Sequence, residues 1–376
     1  MNPFSSSIIF KEYTKNSIIN GFITAALFSA FIYLEYFEIN YKLLNTILVL
    51  ISYILFVTMN KKSMFYTGFF IGIFWFWWVS ISLIYYQLAY LIPIIVLVFA
   101  FGYGIIFYLT AIINNIFIRV ILVYCLTFIE PFGFNWFKID LPLINTYFNT
   151  YESKIQKPPL EIYMPQYNLN QDKKWNQKYT NEIVNTNIKN IDFAIKNNYD
   201  LVILPETAFP MILNKQKNLL NTLKEKSKYI TIVTGALSLK NNQYLNSTFM
   251  FKDSKITIAN KVVLVPFGEK IPLPKIFVDL INEYFFNGAS DYTNASKPSD
   301  FNVKGTSFRN AICYEATTNT IYKNITSPYI IASSNNAWFT PSIEPTLQKL
   351  LLRYYAKKYK LYIYHSSNMS SSMIVN

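Results

Sequence analysis

The feature that most limits this chain is the apolar character of its first third. Five runs, at roughly 17–37, 43–59, 64–86, 88–112 and 116–132, carry few charges. Each approaches the length that a helix needs to cross the hydrocarbon core of a bilayer. In lipid the backbone polar groups must be satisfied inside the segment, so these runs are expected as membrane helices. Composition agrees: 52% of residues are hydrophobic and only 15% charged, against about 25% charged in a soluble globular chain. The deficit is local, because residues 150–300 have ordinary polarity. A membrane half followed by a water-exposed half is predicted. The first run is too long, and too soon followed by others, to be a removable leader.

Charges in the short connections orient the bundle. Lys11 and Lys15 precede the first run; Glu35, Glu38 and Lys42 surround the first turn. Lys61 and Lys62 separate the second and third runs, no charge lies near Gln87, and Arg119 follows the fourth. Positive residues on alternate sides put the N-terminus in the cytoplasm, and five crossings then put everything after Pro131 outside. The expected division is a transmembrane helical domain over 1–133, an interfacial linker over 134–157 and an extracytoplasmic domain over 158–376. The aromatic run Phe74, Trp75, Phe76, Trp77, Trp78 reads as a lipid-facing belt or as the lining of a lipid access path.

The formal charge of +13 raises the question of nucleic acid. No basic recognition helix or aromatic RNA-binding motif is present, so none is expected as a partner. The two cysteines, Cys125 and Cys313, lie in an apolar run and a polar region, which argues against a disulfide framework. His365 is the only histidine, so no zinc site can be built on histidines, and no metal or other cofactor is expected.

From Pro158 short apolar strands alternate with amphipathic helices. Strands are expected at 160–164, 201–204, 230–234, 247–251, 255–259, 308–313, 329–333 and 361–364, and helices at 178–197, 215–226 and 346–358. This alternation predicts a layered α/β domain. Residues 275–286 form an amphipathic segment, either a core helix or an arm that dips into the membrane. Three reactive side chains stand where strands end: Glu206, Lys261 and Cys313. Taken singly, each has an ordinary reading: a solvated cap, a surface lysine, an inert buried thiol.

Together they carry a resemblance. Leu201-Val202-Ile203-Leu204-Pro205-Glu206-Thr207-Ala208, the run from Lys261 to Glu269 and Ala311-Ile312-Cys313-Tyr314-Glu315 resemble the three signature segments of the nitrilase superfamily. Val265-Pro266-Phe267-Gly268-Glu269, Cys313-Tyr314-Glu315, the opening segment Pro165-Gln166, Gln171 and Lys174-Trp175, and Asn335-Asn336-Ala337-Trp338-Phe339 are similar, more narrowly, to the apolipoprotein N-acyltransferase family. The resemblance covers nearly the whole chain and implies an α-helical membrane bundle followed by an α/β (αββα) nitrilase-like sandwich domain. The chain departs from the family pattern at Asn336, where the family has Asp, and at His365-Ser366-Ser367-Asn368-Met369-Ser370. It also stops at Asn376 without the family's further membrane helix.

What the resemblance implies is two-step covalent catalysis. Glu206 accepts the thiol proton, Cys313 attacks an ester carbonyl, Lys261 steadies the oxyanion, and an amine then takes the acyl group from the Cys313 thioester. Trp175, Glu269, Tyr314 and Glu315 are expected to support the site or bind substrate. The implied donor is a phospholipid and the acceptor the N-terminal diacylglyceryl-cysteine of an apolipoprotein. The enzyme is expected to be a monomer in the bacterial inner membrane with its catalytic domain on the periplasmic side. Two other functions remain open at this point: a membrane-tethered amidase that passes the acyl group to water, and a catalytically silent scaffold.

Overall fold

The computed structural model describes residues 15–148, 155–285 and 291–376. Lys11 and residue 286, used in the readings above, lie outside them, as does part of the proposed linker. The chain divides into two compact units. The first comprises Met1–Pro131, Asn135–Thr150 and Pro341–Leu351; the second comprises Phe132–Phe134, Tyr151–Thr340 and Leu352–Asn376.

The described part of the first unit contains α1 (Ser17–Tyr36), α2 (Lys42–Thr58), α3 (Lys61–Phe76), α4 (Ile92–Thr110) and α5 (Ile116–Cys125). A 3₁₀ stretch, Trp77–Tyr86, continues α3. Among the described residues three helical segments are long and apolar enough to cross a membrane: Ser17–Tyr36, Lys61–Tyr86 and Ala89–Thr110. Lys42–Thr58 and Ile116–Phe128 are shorter apolar helices.

Close approach of α3 to its neighbours rests on missing side chains. A Cβ at Gly68 would lie 2.2 Å from the Tyr103 carbonyl oxygen, and one at Gly72 would lie 2.5 Å from that of Phe99. The two glycines are one turn apart, the small-xxx-small spacing that lets membrane helices pack backbone to backbone. Trp75, Phe76 and Trp78 are buried, which corrects the reading of the aromatic run as a lipid-facing belt. Phe137 packs against Phe28, Trp75, Tyr103 and Phe107, and Trp136 lies 4.9 Å from Trp78, so the aromatic residues find partners inside the unit. Arg119 is also buried. Its guanidinium donates to the carbonyls of Met59 and Ala111, the residues that end α2 and α4. Terminal carbonyls lack partners within their own helix, so one cation here satisfies two helix ends.

The second unit is a sandwich. One sheet has the order β1-β2-β4-β5-β6, with β3 beside β4: β1 (Ile162–Tyr163), β2 (Leu201–Ile203), β3 (Phe209–Ile212), β4 (Thr231–Lys240), β5 (Gln243–Lys252) and β6 (Lys255–Asn260). The other has the order β11-β10-β9-β8-β7: β7 (Asp300–Val303), β8 (Thr306–Ile312), β9 (Tyr329–Asn335), β10 (Tyr362–Asn368) and β11 (Met373–Val375). Alternate residues of both sheets, among them Leu201, Ile203, Val233, Met250, Phe301, Phe308, Ile331 and Tyr364, form one apolar layer between them.

The opposite faces are covered by helices. Ile191 and Ala194 of α7 (Thr180–Lys196) and Leu223 of α8 (Lys217–Lys226) pack on Val202 and Ile232. Ile321 and Tyr322 of α10 (Asn319–Tyr322) and Leu352, Tyr355 and Ala356 of α11 (Glu344–Tyr359) pack on Ile330 and Ile363. The expected α/β layering is therefore present, helix, sheet, sheet, helix.

Strands β4 and β5 are about twice the length expected from sequence. Asn241 and Asn242 between them both have positive φ, as do Asp253-Ser254 before β6 and Lys304-Gly305 before β8. Two consecutive left-handed residues make the hairpin turn that matches strand twist, so each pair lets the ladder run to its tip. Helix α9 (Lys275–Phe285) leaves Ile276, Phe277 and Leu280 at 68%, 53% and 46% exposed. It is not a core helix.

Candidate active site

All of the predicted reactive side chains belong to the second unit. Glu206 stands just past β2, on a turn forced into shape by its surroundings. Thr207 has φ of 45°, a conformation that a β-branched residue adopts only when the structure over-determines it. The Gly235 amide donates to the Pro205 carbonyl. A Cβ at Gly235 would lie 2.5 Å from the Thr207 nitrogen and 2.6 Å from the Glu206 Cα, so only glycine lets β4 pass this close. Cys313 follows β8 and has φ of 51°, and Phe267 in the lysine loop has φ of 61°. Such positions concentrate at functional sites because the neighbouring packing holds them there.

The charges meet around Lys261, which follows β6 and is almost wholly buried. Its Nζ lies 2.8 Å from Glu269 Oε2 and 3.8 Å from Glu206 Oε1. The Asn246 amide donates to both carboxylates, at 2.8 Å to Glu206 Oε1 and 2.8 Å to Glu269 Oε1. Glu269 Oε2 also accepts from the Val265 amide at 2.8 Å. Burial works against a charge on Lys261, but Glu269, then Glu206, and the Cys313 thiolate outweigh it and hold the ammonium above its ordinary range. Lys261 is a fixed cation.

Glu315 joins two of the loops. Its carboxylate accepts from Val262 at 2.6 Å, Val263 at 3.1 Å and Ile312 at 2.8 Å, tying the segment after Lys261 to the segment before Cys313. Burial pushes the Glu315 carboxyl up to about 7 against the pull of Lys261 and these three amides. Tyr314 is buried, stacks on Phe134 at 5.8 Å and donates to the Gly133 carbonyl. Trp175 is 42% exposed at the end of the short helix α6 (Gln171–Lys174). The fold thus gathers Glu206, Lys261, Glu269, Glu315 and Cys313, while Tyr314 anchors a neighbouring segment and Trp175 faces outward.

Cys313 is partly exposed, and its negative form acts on both Lys261 and Lys174. An acid, a fixed cation and a thiol in this arrangement are the parts needed to form and discharge a thioester.

Comparison with known proteins places the whole chain. The apolipoprotein N-acyltransferase integral membrane domain matches residues 15–176. Apolipoprotein N-acyltransferase of Wolinella succinogenes is 38% identical, covering 98% of this chain and 98% of that protein. Those of Campylobacter jejuni and Helicobacter pylori are 36% and 33% identical, covering 99% and 95% of this chain and 91% and 95% of theirs. This chain belongs to the apolipoprotein N-acyltransferase family. Among solved structures, a CN-hydrolase superfamily protein of Xanthomonas campestris is similar at 14% identity over 56% of this chain and 76% of that one, with a TM-score of 0.42.

In this acyltransferase several residues at the site escaped the sequence reading. Asn246 bridges the two carboxylates; the signal was a polar run, Asn246-Ser247-Thr248, inside a buried strand. Lys174 is buried and donates to the Glu206 carbonyl at 2.9 Å. The departures from the family pattern are accommodated by amides and hydroxyls. Asn368 bonds Asn335 and both backbone groups of Leu169, and Asn336 donates to Ser370. His365 accepts or donates at 2.9 Å with Ser334, and burial pulls it down to about 4, so it is neutral near pH 7.

Proposed function

We propose that this enzyme moves a fatty acyl chain from a phospholipid to the N-terminal amine of a diacylglyceryl-cysteine lipoprotein through a thioester on Cys313. The observation that carries the reading is the buried cluster of Lys261, Glu269 and Glu206, whose cation is held charged beside the thiol. Glu206 takes the Cys313 proton, and the thiolate adds to the ester carbonyl. The oxygen that gains the negative charge is stabilised by Lys261, with Glu269 and Asn246 keeping the ammonium oriented. The carbon–oxygen bond breaks, and Glu206 returns its proton to the departing alcohol. In the second half the lipoprotein amine attacks, Glu206 removes its proton, and the carbon–sulfur bond breaks as Glu206 returns that proton to the departing sulfur, leaving an amide and the free thiol.

The reading also assigns residues 158–376 as the extracytoplasmic catalytic domain of a bacterial inner-membrane protein that acts as a single chain. Support for the orientation comes from Lys61 and Lys62 at the start of α3 and the absence of charge near Gln87. The apolar helices suit a lipid donor, because drawing an acyl chain fully into water costs about 0.8 kcal/mol per CH₂.

The test is intact-protein mass spectrometry of the purified full chain. Phospholipid alone is expected to add one acyl mass at Cys313, and a lipopeptide with a free N-terminal amine is expected to discharge it as an amide. Cys313→Ala is expected to show no adduct. An adduct lost to water with free fatty acid as the sole product would make the protein a hydrolase instead, and a folded protein with no adduct under any condition would make it a silent scaffold.

A further inference from the structure

We propose that Lys174 is a positioning residue of this site: from its seat on the main-chain oxygen of Glu206 it holds the Glu206 turn and supplies a second positive charge that favours the Cys313 thiolate. This rests on the proposed role of Cys313 as nucleophile.

Three observations carry it. Lys174 is almost wholly buried, which is costly for an ammonium that makes no ion pair. Among the described residues it has no carboxylate at ion-pair distance, and its hydrogen bond goes to the Glu206 carbonyl at 2.9 Å. Lys261, by contrast, has Glu269 at 2.8 Å. The groups whose charge reaches it are the two that the reaction uses, Glu206 and Cys313. The site's other titratable groups, Lys261, Glu269 and Glu315, are engaged with one another and with backbone amides.

Burial pulls the Lys174 ammonium down to about 7, against the opposing charge of Glu206 and Cys313. Its charge therefore depends on theirs. The positive charge of Lys174 and the negative charge of a Cys313 thiolate favour one another. It makes no bond to the substrate.

The measurement is the pH profile of Cys313 alkylation by iodoacetamide in the full chain, with Cys125→Ser so that one thiol reports. An opposite charge nearby lowers a thiol's titration midpoint, so its removal raises it. Lys174→Gln keeps a donor for the Glu206 carbonyl and removes the charge. It is expected to raise the midpoint by roughly one pH unit and to slow alkylation about tenfold at neutral pH. Lys174→Met removes both donor and charge, and is expected to show the same shift together with a slower acyl-adduct formation than Lys174→Gln. Circular dichroism and melting identify a variant that has not folded; a melt at the wild-type temperature keeps Lys174→Gln decisive even if Lys174→Met fails. A folded Lys174→Gln with an unmoved midpoint would overturn the proposal and leave Lys174 a structural residue. Because alkylation needs no acyl donor, this outcome is separate from failure of the acyl-transfer reading, which appears as a missing lipid adduct in the unmutated chain.

Discussion

Lys261 illustrates how much a single side chain depends on its partners. Its amine lies closer to Glu269 than to Glu206, at 2.8 Å against 3.8 Å, so the carboxylate expected merely to support the site is the nearer counter-ion. Two consequences follow for substitution. Lys261→Met removes the cation proposed to stabilise the oxyanion and is expected to slow Cys313 adduct formation by about 10²–10³. Glu269→Gln retains the shape but leaves the buried ammonium with its more distant carboxylate. Breaking a buried pair from one side destabilises by about 3–5 kcal/mol, so a lower melting temperature is expected together with a slower adduct. Single-turnover mass spectrometry and a melt on each variant give both numbers. Near-normal adduct rates in Lys261→Met would remove Lys261 from the mechanism.

At the scale of elements, the site is built by turns rather than by regular strands. Glu206 depends on β4 passing under its turn, and that passage depends on Gly235. The atoms a new Cβ would meet are backbone, the Thr207 nitrogen and the Glu206 Cα, which cannot swing aside as a side chain would. Gly235→Ala is therefore expected to push the turn outward, to cost about 1–3 kcal/mol in stability, and to slow acylation of Cys313 by at least about tenfold, since small displacements of a catalytic group have large effects. The rate of adduct formation and the melting temperature decide it; a wild-type rate would show that the turn does not depend on this contact. The same logic explains Gly68 and Gly72 in α3, where α4 carbonyls occupy the space of the missing side chains.

For the whole molecule, the decisive property is which side of the membrane the second unit occupies. Lysines between the apolar segments favour the outer side, and Arg119 fixes which helix ends lie with them. That arginine is buried against the ends of both α2 and α4, so those two helices end at the same level as Lys61 and Lys62, the side assigned to the cytoplasm. A reporter enzyme that is active only outside the cytoplasm, fused after Asn376, is expected to be active in intact cells. Activity obtained solely with a reporter that works in the cytoplasm would reverse the orientation.

The apolar runs, the alternation of strands and helices, and the ordered segments carrying Glu206, Lys261 and Cys313 were legible in the amino-acid order, because periodicity and strand-end position are local properties. The limits of β4 and β5 were not, since the hairpin is made by Asn241 and Asn242 adopting positive φ, and asparagine permits that without requiring it. Nor was the fate of Trp75 and Trp78: aromatic residues suit both a lipid boundary and a protein interior, and neighbours such as Phe28, Phe137 and Trp136 decided for the interior. Local sequence marks which residues stand at strand ends. It does not say that Asn246 bridges two carboxylates, that Glu269 is the nearer partner of Lys261, or that Lys174 rests on Glu206. Those facts arise when segments far apart along the chain are brought within about 3 Å, the range in which a hydrogen bond forms. Only the packing of the two sheets and their connecting loops sets that distance.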